Sequence, residues 1–212
     1  MAILAQGILG HVVGKTGPVV SYIRFGQNIT RSRSNSEKTR IETPKRKTQR
    51  EKIRVCNEFT KAFSGTGFFN KSFPAYDHTG SGYNMATSAI MNRAIISNPG
   101  IILSYPKVLI SQGPIPSVDE ASTMVNDEGN IVFSWTDNTG TGTAKGNDTA
   151  IMVAYFPETK KVIYKFSNAT RKDGEAVLET DLKSSTAETW IGFLSTDEKN
   201  AADSVYAGSV IL

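Results

Sequence analysis

The chain has 212 residues, 39% hydrophobic and 21% charged, with a formal net charge of +4 and a single cysteine, Cys56. That length can bury a sizeable core, the composition excludes disorder throughout, and one cysteine excludes an internal disulfide framework. The net charge hides a division: residues 1–54 hold twelve Lys and Arg against three acids, whereas residues 55–212 hold twelve against seventeen.

The apolar opening, Ala2 to Leu9, is short, has no basic residue before it, and is soon followed by His11 and Lys15. It reads as neither a signal peptide nor a membrane span, and no later run reaches spanning length. The expectation is a cytoplasmic chain, or one in a particle assembled in the cytoplasm, with no membrane partner. Gly7, Gly10, Gly14, Gly17 and Gly26 then punctuate short β-prone runs. In Val19 to Phe25, alternation puts Val20, Tyr22 and Arg24 on one face and Val19, Ser21, Ile23 and Phe25 on the other. Gly26-Gln27-Asn28 can return that strand into Ile29 to Arg33 as a hairpin. An isolated hairpin is marginal in water and needs a surface. Val20, Tyr22, Ile23 and Phe25 are therefore the candidate strand-docking residues.

Residues 31–43 read as an exposed connector rich in Ser, Thr, Asn and charge. Thr43-Pro44 marks a helix start, with Thr48-x-x-Glu51 as a second, capping-box start. Ile53, Cys56, Phe59 or Thr60, and Phe63 recur at helical spacing, which predicts an amphipathic helix from about 45 to 63. Ser64-Gly65-Thr66-Gly67 ends it, and the aromatic stretch Phe68, Phe69, Phe73, Tyr76 follows. A second helix is predicted from about 82 to 96, closed by Asn98-Pro99-Gly100 and packed on the first.

From Ser104 the pattern is strand and turn. Runs at 107–111, 131–135, 149–156, 161–166, 175–180, 188–195 and 204–212 are separated by polar turn residues, and Trp135 offers a core anchor. Seven such strands predict an immunoglobulin-like or fibronectin-like antiparallel β-sandwich. The expected fold class is α+β: an N-terminal β-hairpin and two helices in residues 1–103, then the sandwich in residues 104–212.

Chemistry-bearing patterns are sparse. His11 and His78 lie in unrelated segments without a metal-ligand cluster. Gly10-x-x-x-Gly14-Lys15-Thr16 is one residue too short for a phosphate loop, and Pro18 and a β-prone run follow it where a helix is required. Asp119-Glu120, Asp127-Glu128 and Asp197-Glu198 fall in predicted turns, and Asp127, Asp137 and Asp148 form no calcium-loop series. No catalytic, cofactor or metal residue is expected. The one signal is the basic arm, with Lys15, Arg24, Arg31, Arg33, Lys45, Arg46, Lys47 and Arg50 as candidate assembly or polyanion-binding residues. Clustered cations gain from counterion release on phosphate backbones, and they also bridge acidic surfaces of neighbouring subunits.

Several segments resemble an uncharacterised family common in Bacteroidota and their mobile elements. They are Gln6 to Gly10, Gly14-Lys15-Thr16-Gly17-Pro18-Val19-Val20-Ser21-Tyr22, Ile29 to Ser32, Tyr83 to Ala86, Tyr105 to Gly113, Phe133-Ser134-Trp135 and Asp203 to Gly208. Pro44 and Gln49 keep the family's spacing, whereas Arg46 and Ile53 stand where its Thr and Arg would be. The resemblance implies the two-part architecture and transfers no catalytic residue. The leading expectation is a non-enzymatic structural protein that self-associates through its hairpin and basic arm, as a homo-oligomer in a phage particle or filament. The alternative is salt-dependent, sequence-independent nucleic-acid binding through the same arm.

Overall fold

A computed structural model describes residues 2–4, 10–24, 26–33, 42–74, 80–98, 100–182 and 185–212. The chain opens with a four-stranded antiparallel meander, β1 (Ala2–Leu4), β2 (Val12–Thr16), β3 (Val19–Arg24) and β4 (Gln27–Ser32), paired in that order. The expected hairpin is its second half, with a tighter turn than the sequence suggested. Arg24 pairs with Gln27, and Gly26, which lies in the connection between them, takes φ +76. Two-residue hairpin loops require such left-handed values, which glycine adopts without steric cost.

Helix α1 (Pro44–Thr60) begins at the expected Thr43-Pro44 and continues into a 3₁₀ turn at Lys61–Phe63. Thr43 is extended, and its carbonyl accepts from the Arg46 and Lys47 amides at 3.0 and 3.1 Å. Thr48 is not a second start, because its hydroxyl donates to the Pro44 carbonyl at 3.1 Å inside the helix. Cys56, Phe59, Thr60 and Phe63 are buried, but Ile53 is 42% exposed, since α1 buries only its last turns. A short helix, α2 (Phe68–Ser72), occupies the aromatic stretch, and α3 (Gly82–Arg93) follows. Thr60 and Tyr83 hydroxyls meet at 2.9 Å between α1 and α3. The second helix stops short of the predicted 96: Ile95 and Ile96 form β5 (Ile95–Ile96), which pairs with β6 (Ile102–Leu103).

Seven strands then form two antiparallel sheets. These are β7 (Asp119–Val125), β8 (Ile131–Thr136), β9 (Thr149–Phe156), β10 (Lys161–Thr170), β11 (Glu175–Leu178), β12 (Thr186–Leu194) and β13 (Val205–Ile211). One sheet has the order β11-β8-β7 and the other β10-β9-β12-β13, a three-plus-four fibronectin-like sandwich. The run 107–111 is not a strand. Tyr105–Lys107 form a 3₁₀ turn, and Val108 and Ile110 then cross the core while the Ile110 amide donates to Ser204 Oγ at 2.9 Å. Asp119-Glu120 is not a turn but the bulged start of β7, between the pairs Asp119↔Thr136 and Ser122↔Ser134.

The four-stranded sheet is covered on both sides. Its one face packs Met152, Ala154, Phe156, Ile191 and Phe193 against Ile131, Phe133 and Trp135 of the smaller sheet. Its other face packs Ile151, Val153, Tyr155 and Trp190 against Phe59, Phe63, Phe68 and Ile90 of the helices. A strand buried on two faces reads as a continuous apolar run, as Ala150 to Phe156 does. Burying each large aliphatic or aromatic side chain there contributes about 1.5–3 kcal/mol.

Candidate functional site

The meander is built differently from the rest of the chain. Across β2, β3 and β4 only Ser21 is buried, its hydroxyl 3.0 Å from that of Thr30. In a sheet, residues directly opposite share a face and successive residues alternate. The register sets Lys15 opposite Val20 and Val20 opposite Arg31. Tyr22 and Arg24 follow in phase on β3, and Arg33 follows Arg31, its amide donating to the Pro18 carbonyl at 2.7 Å. Lys15, Arg24, Arg31 and Arg33 thus share one face with Val13, Val20, Tyr22 and Ile29. They are every Lys and Arg of residues 10–33, which contain no acid. The Arg31 guanidinium lies 6.0 Å from the Tyr22 ring centroid, within cation–π reach.

The strand-docking residues are divided by this register. Val20 and Tyr22 lie on the cationic face, and Ile23, 49% exposed, lies on the opposite one beside Val19 and Ser21. Phe25 lies outside the described residues, as does His78. Lys45, Arg46, Lys47 and Arg50 form a separate group on the first two turns of α1, whose first turn contains no acidic residue. Cations there oppose the helix dipole by about 0.3–1 kcal/mol each. Arg50 pairs with Glu42 just ahead of the helix, and Arg54 with Glu51 at 3.2 Å.

Of the three loop aspartates Asp127, Asp137 and Asp148, the last two are engaged by neighbouring groups, as is Asp197. Asp137 Oδ1 accepts from the Thr139 amide and hydroxyl at 2.9 and 2.5 Å, which holds its carboxyl below the usual range. Asp148 is buried against Arg171, and Asp197 accepts from the Ser195 hydroxyl at 2.6 Å. Among the described residues no three His, Cys, Asp or Glu side chains are grouped to hold a metal.

Sequence reasoning missed one cleft, of about 350 Å³, between α1 and the sandwich. Phe59, Ile102, Tyr105 and Tyr155 line it, and a Glu58–Lys160 ion pair bridges it. Burial pushes the Tyr155 hydroxyl up to about 12, with Tyr105 and Glu58 adding to the effect. No local pattern links Glu58 to Lys160, which are 102 positions apart.

A family model described as a family of unknown function, DUF6266, matches residues 4–208. The chain belongs to this family. No curated protein matches it. Among solved structures, the chain is similar to the FN1–FN3 domains of chicken CNTN1, at 11% identity and a TM-score of 0.35 over 53% of this chain. It spans about a third of that structure's length, 35%. Among the described residues of this DUF6266 member, no helix is long and apolar enough to cross a membrane.

Proposed function

We propose that this member of DUF6266 is a non-enzymatic structural protein that self-associates through its N-terminal meander. The observation that carries the reading is the contrast between the two ends of the chain. The sandwich and helices bury two cores, whereas across β2, β3 and β4 of the meander only Ser21 is buried. Small sheets need a hydrophobic face or a packing partner for stability. A second copy supplies one, and the opposite charges of residues 1–54 and 55–212 favour that pairing. Such a contact joins different surfaces of the two copies, so it repeats into rings or open polymers. A homo-oligomeric phage-particle or filament subunit, assembled in the cytoplasm, is the form that suits the Bacteroidota and mobile-element sequences this chain resembles. Sedimentation velocity and electron microscopy at low and moderate salt test this. Concentration-dependent assemblies that shrink with salt are expected, and a monomer at every concentration would reject the proposal.

Nucleic-acid binding is the second reading, favoured by Arg31 lying near Tyr22 on the cationic face. Bases stack on aromatic rings while cations follow the phosphates. Its test is retention of single-stranded DNA or RNA: affinity falling steeply with salt and lost in Lys15→Glu/Arg31→Glu supports it, and no retention at low salt discards it.

A further inference from the structure

The outward face of the three-stranded sheet has the opposite chemistry to the meander. Residues 119–136 and 173–181, which supply β7, β8, β11 and adjoining turns, contain eight carboxylates and no Lys or Arg. Ile131, Phe133, Trp135, Ala176 and Leu178 point into the core, so the alternate positions point outward. The register aligns these outward positions in rows. Met124, Val132 and Val177 form one, with Met124 61% and Val177 38% exposed. Ser122, Ser134 and Glu175 form the next. Beyond it the exposed Glu120 accepts from the Thr136 hydroxyl at 3.1 Å. An apolar row with Glu175 and Glu120 along one side therefore lies open on the body.

The cationic face of the meander is its complement: Val13, Tyr22 and Ile29 form an apolar row, flanked by Lys15 and Arg31 on one side and Arg24 on the other. We infer that the outer face of β7-β8-β11 is the docking surface for the meander of a second copy. Apolar row meets apolar row, and the flank of Lys15 and Arg31 meets Glu175 and Glu120. This rests on the self-association proposed above and names the surface that receives the arm. Charge complementarity selects the partner and orients it, and it makes association depend on salt. Three strands of five or six residues and one of three present a face of roughly 300 Å². That is below the ~800 Å² per partner of a standard interface, so one contact is weak and the assembly grows with concentration.

The test uses the full chain and two double variants at exposed positions, Lys15→Glu/Arg31→Glu on the meander and Glu120→Lys/Glu175→Lys on the sheet, with circular dichroism to check folding. Sedimentation velocity over a range of concentrations is the readout. Each variant alone should self-associate about tenfold more weakly than the parent, from like-charge contact. Mixing the two variants should restore association, since each then offers what the other needs. If the parent associates and the sheet variant matches it, or if the mixture stays dissociated, the docking surface is wrong while self-association stands. If the meander variant loses only single-stranded DNA retention and not self-association, the cationic face serves nucleic acid and the inference fails. A parent that never associates overturns both readings together.

Discussion

Arg171 and Asp148 are buried together at one end of the sandwich, Nε to Oδ2 at 3.4 Å, with side chains 0% and 1% exposed. Much of that end is organised around the pair. The guanidinium donates to Asn138 Oδ1 at 2.6 Å and the Pro116 carbonyl at 3.2 Å, and it lies over the Phe193 ring at 4.4 Å. Asp148 Oδ2 accepts from the Lys145 amide at 2.9 Å, and Trp135 Nε1 donates to the Arg171 carbonyl at 2.9 Å. A buried pair gains little over an apolar replacement, but removing one partner strands the other charge. Asp148→Ala is therefore expected to cost about 3–5 kcal/mol. Urea denaturation measures it, and a loss under about 1 kcal/mol would mean that water reaches the arginine.

Phe59 fastens the helices to the sandwich. Its ring lies 4.9 Å from Tyr155, 5.8 Å from Trp190 and 5.4 Å from Phe63. Phe59→Ala leaves a cavity where helix meets sheet and is expected to destabilise the chain by about 3–5 kcal/mol. Phe59→Leu, which keeps most of the volume, should lose less than half of that. Thermal unfolding of the two variants checks the order, and equal losses would show that the ring stacking rather than the cavity sets the cost.

Alkaline pH should destabilise the fold, beginning with Cys56. Burial pushes its thiol up to about 11, so the folded chain resists ionisation that the unfolded chain undergoes near pH 9. A raised folded value contributes stability that is complete below the unfolded value and is lost as pH rises toward the folded one. The loss begins near pH 9. Tyr155, Tyr105 and Tyr206 act in the same direction from about pH 10, each held protonated first by burial. For Tyr206, donation to Glu188 at 2.5 Å adds to that. Cys56→Ala should flatten the slope of stability between pH 9 and 10, as followed by urea midpoints. Labelling with a thiol reagent at pH 8 should be slow in the native chain and rapid once it is unfolded.

Where sequence and structure agree, the local signal and the tertiary environment ask for the same residues. Thr43-Pro44 starts α1, and Phe59 and Phe63 face the core as the helical period requires. The continuous run of β9 shows its double burial directly. Disagreement arises where tertiary partners replace a ladder. Val108 and Ile110 look like strand residues, but the Ile110 amide donates to Ser204 Oγ and the Ser111 hydroxyl donates to the Ala202 carbonyl instead of a strand ladder forming. Asp119-Glu120 reads as a turn, but it opens β7, with Glu120 at φ +52 in the bulge. The common face of Lys15, Arg24, Arg31 and Arg33 was legible only in part. Alternation joined Arg24 to Val20 and Tyr22, but the places of Lys15 and Arg31 depend on strand register, which no local pattern encodes.

Gly82 tests whether close packing outweighs helix propensity. It is the first residue of α3, following Ser81, whose hydroxyl caps the helix by accepting from the Asn84 amide at 3.3 Å. Alanine is the better helix former by about 1 kcal/mol in an interior position, and by less in the first turn. A Cβ on Gly82, however, would stand 2.0 Å from the Phe69 carbonyl oxygen and 2.8 Å from Asn70 Cα. Both are backbone atoms of α2, so relief requires one helix to move from the other. Overpacking of that kind costs about 1–3 kcal/mol or more. Gly82→Ala should therefore lower the urea midpoint, whereas propensity alone would raise it. A raised midpoint would show that α2 yields without loss and that the approach of α2 to α3 does not depend on this glycine.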